Sequence, residues 1–164
     1  MNSSRQLAAI MFTDIVGYTA LMGEDEHGAM QVLEEFKDLS IPIVEINQGR
    51  WLKDLGDGAI CSFGSALDAV NAAIGIQKKA NQILEAKIRI GIHSGDVTFK
   101  EGDVFGDGVN IASRIQSEAV PGGICLSEPV YKSINNQPGI QVKFQQKKQL
   151  KNVREPVKLY QVTN

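Results

Sequence analysis

Two aspartates carry the first hint of chemistry in this chain. Asp14 ends an apolar run, Leu7 to Phe12, and opens the stretch Asp14-Ile15-Val16-Gly17-Tyr18-Thr19. Asp57 lies in Gly56-Asp57-Gly58, between two short apolar runs, which is a hairpin signal. Singly, each reads equally well as a helix cap or a turn former. Together at one place, with no Cys or His beside them, they suit a hard cation with oxygen ligands. Mg²⁺ or Mn²⁺ fits such a pair better than Zn²⁺. Two such ions, about 3.5–4 Å apart, would serve an in-line attack at phosphorus. The amides of Ile15 to Thr19, at the start of a short helix, can then face phosphate oxygens.

Whether the two aspartates meet depends on the elements that carry them. The apolar run predicts a buried strand over residues 6–13, after a frayed lead-in at 2–6. Residues 26–48 carry Met30, Leu33, Phe36, Leu39, Ile43 and Ile46 at helical spacing, and Pro42 should kink or divide that helix. Strands follow at 50–55 and 59–63. A helix capped by Ser65 then runs to residue 84. Alternation predicts a strand over 87–94 and a further one over 96–100. Beyond a helix at 108–118 come a strand at 124–126 and a short helix capped by Ser127. Strands at 140–144 and 157–162 close the chain.

The central order is strand, helix, strand, hairpin, strand, helix, strand. That is the split β-α-β arrangement of a ferredoxin-like α+β domain, with a largely antiparallel sheet and extra C-terminal strands. Right-handed crossovers place the hairpin's second strand beside the first and antiparallel to it. Asp14 and Asp57, 43 positions apart, should therefore meet at one end of the sheet.

A second constellation lies in Asp103-Val104-Phe105-Gly106-Asp107-Gly108-Val109-Asn110-Ile111-Ala112-Ser113-Arg114. Asn110 and Arg114 are four apart and share a helical face. An amide beside a guanidinium can orient a sugar oxygen and stabilise developing phosphate charge. A solvated helix face with Arg114 in a surface ion pair is the plainer alternative.

Bulk composition narrows the classes. At 164 residues one domain is expected, large enough to bury roughly 70% of its unfolded surface. A net charge of −2 argues against sequence-independent nucleic-acid binding. An aromatic content of 6% argues against base stacking on an open sheet. No apolar run approaches the roughly 20 residues of a membrane span, and no secretory signal is visible. Cys61 and Cys125 sit in apolar strand-like runs without metal-ligand spacing, so both read as reduced core residues of a cytoplasmic protein. A small domain with no evident regulatory part is also what a piece of a longer chain would look like.

Four motifs in order, F-T-D-I-V-G-Y-T, K-D-L-G-D-G, R-I-G-I-H-S-G and D-V-F-G-D-G-V-N-I-A-S-R, resemble the catalytic domain of class III nucleotidyl (adenylyl/guanylyl) cyclases. The likeness covers residues 7–162. It implies that Asp14, Ile15 and Asp57 hold two metal ions. It implies that Lys53 and Asp103 read the base, Asn110 orients the ribose and Arg114 stabilises the transition state. Arg89 and Lys151 would contact the polyphosphate. The Lys151 match is the loosest, since Asn152 stands where the family often has glycine. Phe105 and His93 are expected to pack rather than react. In such a family the site is shared: Asp14, Asp57 and Arg89 from one subunit of a homodimer, Lys53, Asp103, Asn110, Arg114 and Lys151 from the other.

Lys53 and Asp103 also speak to the base directly. An ammonium only donates and an ionised carboxylate only accepts. Adenine offers an acceptor at N1 and a donor amine at N6, whereas guanine reverses that edge. ATP is therefore expected over GTP, with cyclic AMP and pyrophosphate as products. The rival readings are a guanylyl cyclase, a non-catalytic dimerisation or nucleotide-sensing module, and a generic ferredoxin-like binding domain. The first is disfavoured by Lys53 and Asp103. The second is disfavoured because both metal aspartates and the arginine are kept.

Overall fold

The first strand does more than the apolar run alone requires. In the computed structural model, which describes residues 3–164, β1 (Ser3–Ile15) pairs over its full length with β4 (Ile88–Lys100), from Ser3↔Lys100 to Ile15↔Ile88. Residues 3–6 are thus paired strand, not a frayed lead-in, and Asn2 lies outside the described residues. The two strands expected at 87–94 and 96–100 are likewise one. Gly95 does not break β4, because its partner Ala8 continues the ladder.

Between these strands come α1 (Tyr18–Glu24), α2 (Glu26–Ile46), β2 (Arg50–Asp54), β3 (Gly58–Phe63) and α3 (Ala66–Ile83). After β4 come β5 (Asp103–Phe105), α4 (Asp107–Gln116), β6 (Ile124–Ser127), α5 (Glu128–Ile134), β7 (Val142–Lys148) and β8 (Val157–Val162). The sheet order is β2-β3-β1-β4-β6-β8-β7, with β5 paired to β4 off that path. Every pairing is antiparallel except β4–β6. The α+β class and the place of β3 beside β1 are as expected. β7 begins later and runs further than the expected 140–144, because its partner β8 extends the ladder from Val142↔Val162 to Lys148↔Val157.

Alternation on the strands builds two layers. Ala9, Met11 and Ile15 of β1, Ala59, Cys61 and Phe63 of β3, and Ile88, Ile90 and Ile92 of β4 face α2, α3 and α5. Each isoleucine so buried contributes roughly 1.5–3 kcal/mol, well above a surface ion pair such as Lys132–Glu128, so the core dictates which way β4 faces. Ala8, Ile10 and Phe12 point to the opposite face, where Val97, Val104 and Ala112 cover them. Further along α4, Ile115 packs with Cys125, Leu150 and Leu159. Cys61 and Cys125 are buried and unbridged, as expected.

Two local expectations give way to packing: the division of a helix at Pro42 and the helix cap at Ser127. The helix α2 runs unbroken through Pro42. Interior proline costs about 3 kcal/mol. Burial of Phe36 and Leu39 before it and Val44 after it offsets that loss. Ser65 caps α3 as expected, its hydroxyl accepting from the Asp68 amide at 3.3 Å. Ser127, by contrast, makes no cap bond to α5. Its hydroxyl instead shares a 2.8 Å hydrogen bond with His93 Nδ1 inside the core.

Burial pushes the His93 pKa down to about 4, against an ordinary value of 6.5. The native state then holds fewer protons than the unfolded chain between those values, so stability falls as pH drops from 6.5 toward 4. Urea unfolding across that window should show a loss of up to about 3 kcal/mol. His93→Gln should flatten that limb; an unchanged slope would assign it elsewhere.

Candidate active site

Asp14 and Asp57 do meet. Asp14 pairs in register with Gly58 of β3, and the Ile15 amide donates to the Asp57 carbonyl at 2.7 Å. The close approach requires Gly58: a Cβ there would lie 1.8 Å from the Thr13 carbonyl oxygen. Arg89, opposite Asp14 on β4, binds both of its carboxylate oxygens, Nε to Oδ1 at 3.2 Å and Nη2 to Oδ2 at 2.9 Å. Burial first, and then the Asp14 charge, raise the Asp57 carboxyl above its ordinary pKa. One guanidinium thus faces two carboxylates, and the cluster is short of positive charge.

The loop after Asp14 is less available than the sequence suggests. The Ile15 amide is held by Asp57, and the Val16 amide donates to the Lys87 carbonyl at 2.9 Å. Neither can receive a phosphate, because closing the end of the sheet already consumes both donors. The chain then turns through Gly17 at φ 75°, a left-handed conformation that suits glycine, into α1. Within Ile15 to Thr19, the amides of Gly17, Tyr18 and Thr19 have no backbone partner among the described residues.

Lys53 and Asp103 come together from different elements. Lys53 Nζ lies 3.5 Å from Asp103 Oδ2, and Asp103 Oδ1 accepts from the Val104 amide at 2.8 Å. The pair is partly exposed and joins β2 to β5, a strand that the sequence showed only as a turn.

Asn110 and Arg114 share one face of α4, as expected, and that face meets residues 148–157. Asn110 Nδ2 lies 3.5 Å from the Asn152 carbonyl. Asn152 itself has φ 62°, a left-handed conformation that asparagine tolerates in place of glycine. Arg114 and Lys151 border one cavity of about 320 Å³ with Ser117, Glu118 and Lys148. Arg114 makes no ion pair among the described residues, and its buried Nε has no partner. The surface-ion-pair alternative is therefore not what the fold contains.

The candidate residues fall into separate groups. Asp14, Asp57 and Arg89 form one, and Lys53 with Asp103 a second. Asn110, Arg114 and Lys151 gather around residues 148–157. Among the described residues no hydrogen bond or ion pair links the first group to the others.

One group went unnoticed in the sequence. Asp54, next to Lys53, accepts from Trp51 Nε1 at 2.7 Å and from Lys37 Nζ of α2 at 2.9 Å. The Lys37 and Trp51 bonds lower its pKa. The only visible signal was a lone tryptophan two positions before Lys53.

Comparison with known proteins shows the family. Residues 2–164 match the family "Adenylate and Guanylate cyclase catalytic domain". The chain is 37% identical over 164 residues to the Rhizobium meliloti (strain 1021) protein "Putative adenylate cyclase 3", covering 95% of this chain and 28% of that one. It is 37% identical over 115 residues to an adenylate cyclase of Streptomyces coelicolor, covering 68% of this chain and 30% of that one. It thus spans less than a third of these relatives. The crystal structure of an adenylate/guanylate cyclase/hydrolase from Silicibacter pomeroyi superposes with a TM-score of 0.92 at 30% identity, covering 99% of both chains. With a family match over nearly every residue and a solved relative of the same extent, this chain belongs to the adenylate and guanylate cyclase catalytic domains.

Proposed function

We propose that the chain converts ATP to 3′,5′-cyclic AMP and pyrophosphate at sites shared between two copies of itself. The observation that carries the substrate choice is the Lys53–Asp103 pair. A donor-only and an acceptor-only group sit 3.5 Å apart on one chain, complementary to adenine N1 and its N6 amine. Guanine would leave both facing groups of the wrong polarity, which is a source of large specificity factors.

Asp14 and Asp57 would hold the divalent ions, with Ile15 able to offer only its carbonyl oxygen. The donor set fits Mg²⁺ or Mn²⁺: two adjacent carboxylates and a carbonyl, all hard oxygens. Such ions keep open positions for water and substrate phosphates. When bound, they supply positive charge that lowers the pKa of the ribose 3′-hydroxyl and offsets the polyphosphate.

The chain's own groups do the rest. Asn110 orients the ribose. Arg114, with an unpartnered Nε, donates to the α-phosphoryl group as O3′ gives up its proton to solvent and bonds to Pα, and the bridging oxygen to Pβ leaves with pyrophosphate. Arg89, which occupies both oxygens of Asp14 in the free chain, turns to the β- and γ-phosphates in the loaded one. Lys151 and the amides of Gly17 to Thr19 assist it. Separation of the carboxylate group from the other two supports a shared site: two copies would complete each other across a twofold axis.

Incubation of the purified chain with Mn²⁺ and ATP should yield cyclic AMP and pyrophosphate, and GTP should be a poor substitute. Asp14→Ala and Arg114→Ala should each cost at least about 100-fold in rate. Mixed in equal amounts they should regain about a quarter of wild-type activity, since half the dimers are mixed and each has one intact site. No regain at concentrations that force association would count against the shared site.

Asp57 supplies an independent measurement. Its ionised carboxylate is held at a cost beside Asp14, so Asp57→Asn should leave the cation-free chain at least as stable as wild type at pH 7. Wild type should gain about 2.7 kcal/mol at Mn²⁺ a hundred times its Kd, and the variant almost none. Because the Asp57 pKa is raised, protons compete with the cation at higher pH than for an ordinary aspartate, and the gain fades as pH falls. Thermal unfolding with and without MnCl₂ reads both.

A further inference from the structure

The strand β2 does not alternate regularly. Arg50 pairs with Ser62 and Trp51 with Cys61, but Lys53 then pairs with Ile60 and Asp54 with Ala59, leaving Leu52 as an extra residue. The faces follow. Trp51 packs with the cluster on the helix-covered side, and Leu52 with the opposite one. Lys53, opposite Ile60, stays on the second side, the side of β5 and α4. Asp54, opposite Ala59, returns to the side of α2.

A regular strand would reverse the last two. Successive side chains alternate, so Lys53 would share the face of Trp51 and point under α2. Asp54 would point toward β5, where it would set a second carboxylate near Asp103. The bulge therefore decides which of two adjacent residues can meet Asp103.

Something must hold that bulge, because β2 is a five-residue edge strand with few apolar anchors. The Trp51 Nε1–Asp54 Oδ1 bond at 2.7 Å joins positions i and i+3 on one face. A regular strand cannot make it, since i and i+3 lie on opposite faces. The other Asp54 oxygen takes Lys37 Nζ at 2.9 Å, tying the strand end to α2. The Trp51 ring packs at 6.1 Å from Phe36, fixing the indole at the other end.

We infer that Lys37, Trp51 and Asp54 form a positioning network that locks the β2 bulge and so delivers Lys53 to the face where it pairs with Asp103. None of the three touches the nucleotide; they act through Lys53. The consequence for base choice rests on the nucleotide reading above, while the lock itself does not.

The test uses the single tryptophan. In ¹⁵N-labelled protein its one indole N–H signal reports the Asp54 bond. Asp54→Ala should move that signal strongly upfield, and Lys37→Met in the same direction. Exchange of the Leu55 amide, which donates to the Gly58 carbonyl at 2.9 Å, should rise about tenfold in Asp54→Ala and in Trp51→Phe, which keeps an aromatic ring but loses the donor. In the cyclase assay both variants should lose about tenfold of the ATP-over-GTP preference in kcat/KM, chiefly through KM for ATP. An unmoved indole signal in Asp54→Ala overturns the lock. A moved signal with unchanged Leu55 exchange and unchanged base preference overturns it as well. If wild type converts neither nucleotide, the nucleotide reading falls by itself, and the indole signal with Leu55 exchange still decides the lock.

Discussion

The ladder between β1 and β4 is the constraint on which the rest depends. Its register sets Asp14 opposite Arg89 at one end. The same register continues to Ser3↔Lys100, where β4 turns into β5 and brings Asp103 into play. A slip by one residue would turn every side chain of β1 over, burying Asp14 among the helices and moving Met11 into the opposite layer. Burial of Ala9, Met11 and Ile15 against one layer and Ala8, Ile10 and Phe12 against the other forbids it. The position of the carboxylates is thus a by-product of hydrophobic alternation.

The charged groups are arranged so that each cluster is held together but none is self-sufficient. Asp14 and Asp57 are adjacent and only partly neutralised by Arg89. Lys53 and Asp103 satisfy one another only loosely, at 3.5 Å. Arg114 keeps a buried donor without an acceptor. Unpaired buried donors and crowded carboxylates lower stability, and they persist where a ligand completes them. Here the two kinds of deficit have opposite sign and lie in separate parts of the chain, which is the pattern a shared site needs.

Elsewhere the fold takes donors and acceptors back for its own use. Ile15 and Val16 give their amides to Asp57 and Lys87, so the loop after Asp14 offers fewer phosphate donors than its length implies. Ser127 gives up helix capping for His93, because a histidine buried without a partner would cost more than an uncapped short helix. Asp54 turns away from the side of β5 and α4 and anchors an edge strand.

The class of the fold, the meeting of Asp14 with Asp57 and the common face of Asn110 and Arg114 are legible in the amino-acid sequence. These follow from hydrophobic period, from an Asp-Gly turn and from helical spacing, all of which are local signals. It also carried enough motif residues to suggest the family. That residues 3–6 are strand, that Pro42 does not divide its helix, and that Ile15 and Val16 have no free amide emerge only in the folded chain. The first and last depend on partners far along the chain, such as Lys100 and Lys87, whose proximity no local pattern encodes, and the second on Phe36, Leu39 and Val44 of the same helix finding a core to pack against. The bulge at Leu52 is the sharpest instance. Perfect alternation through Lys53 and Asp54 would have put the wrong residue beside Asp103, and the single extra residue that corrects it is visible only once β2 is laid against β3.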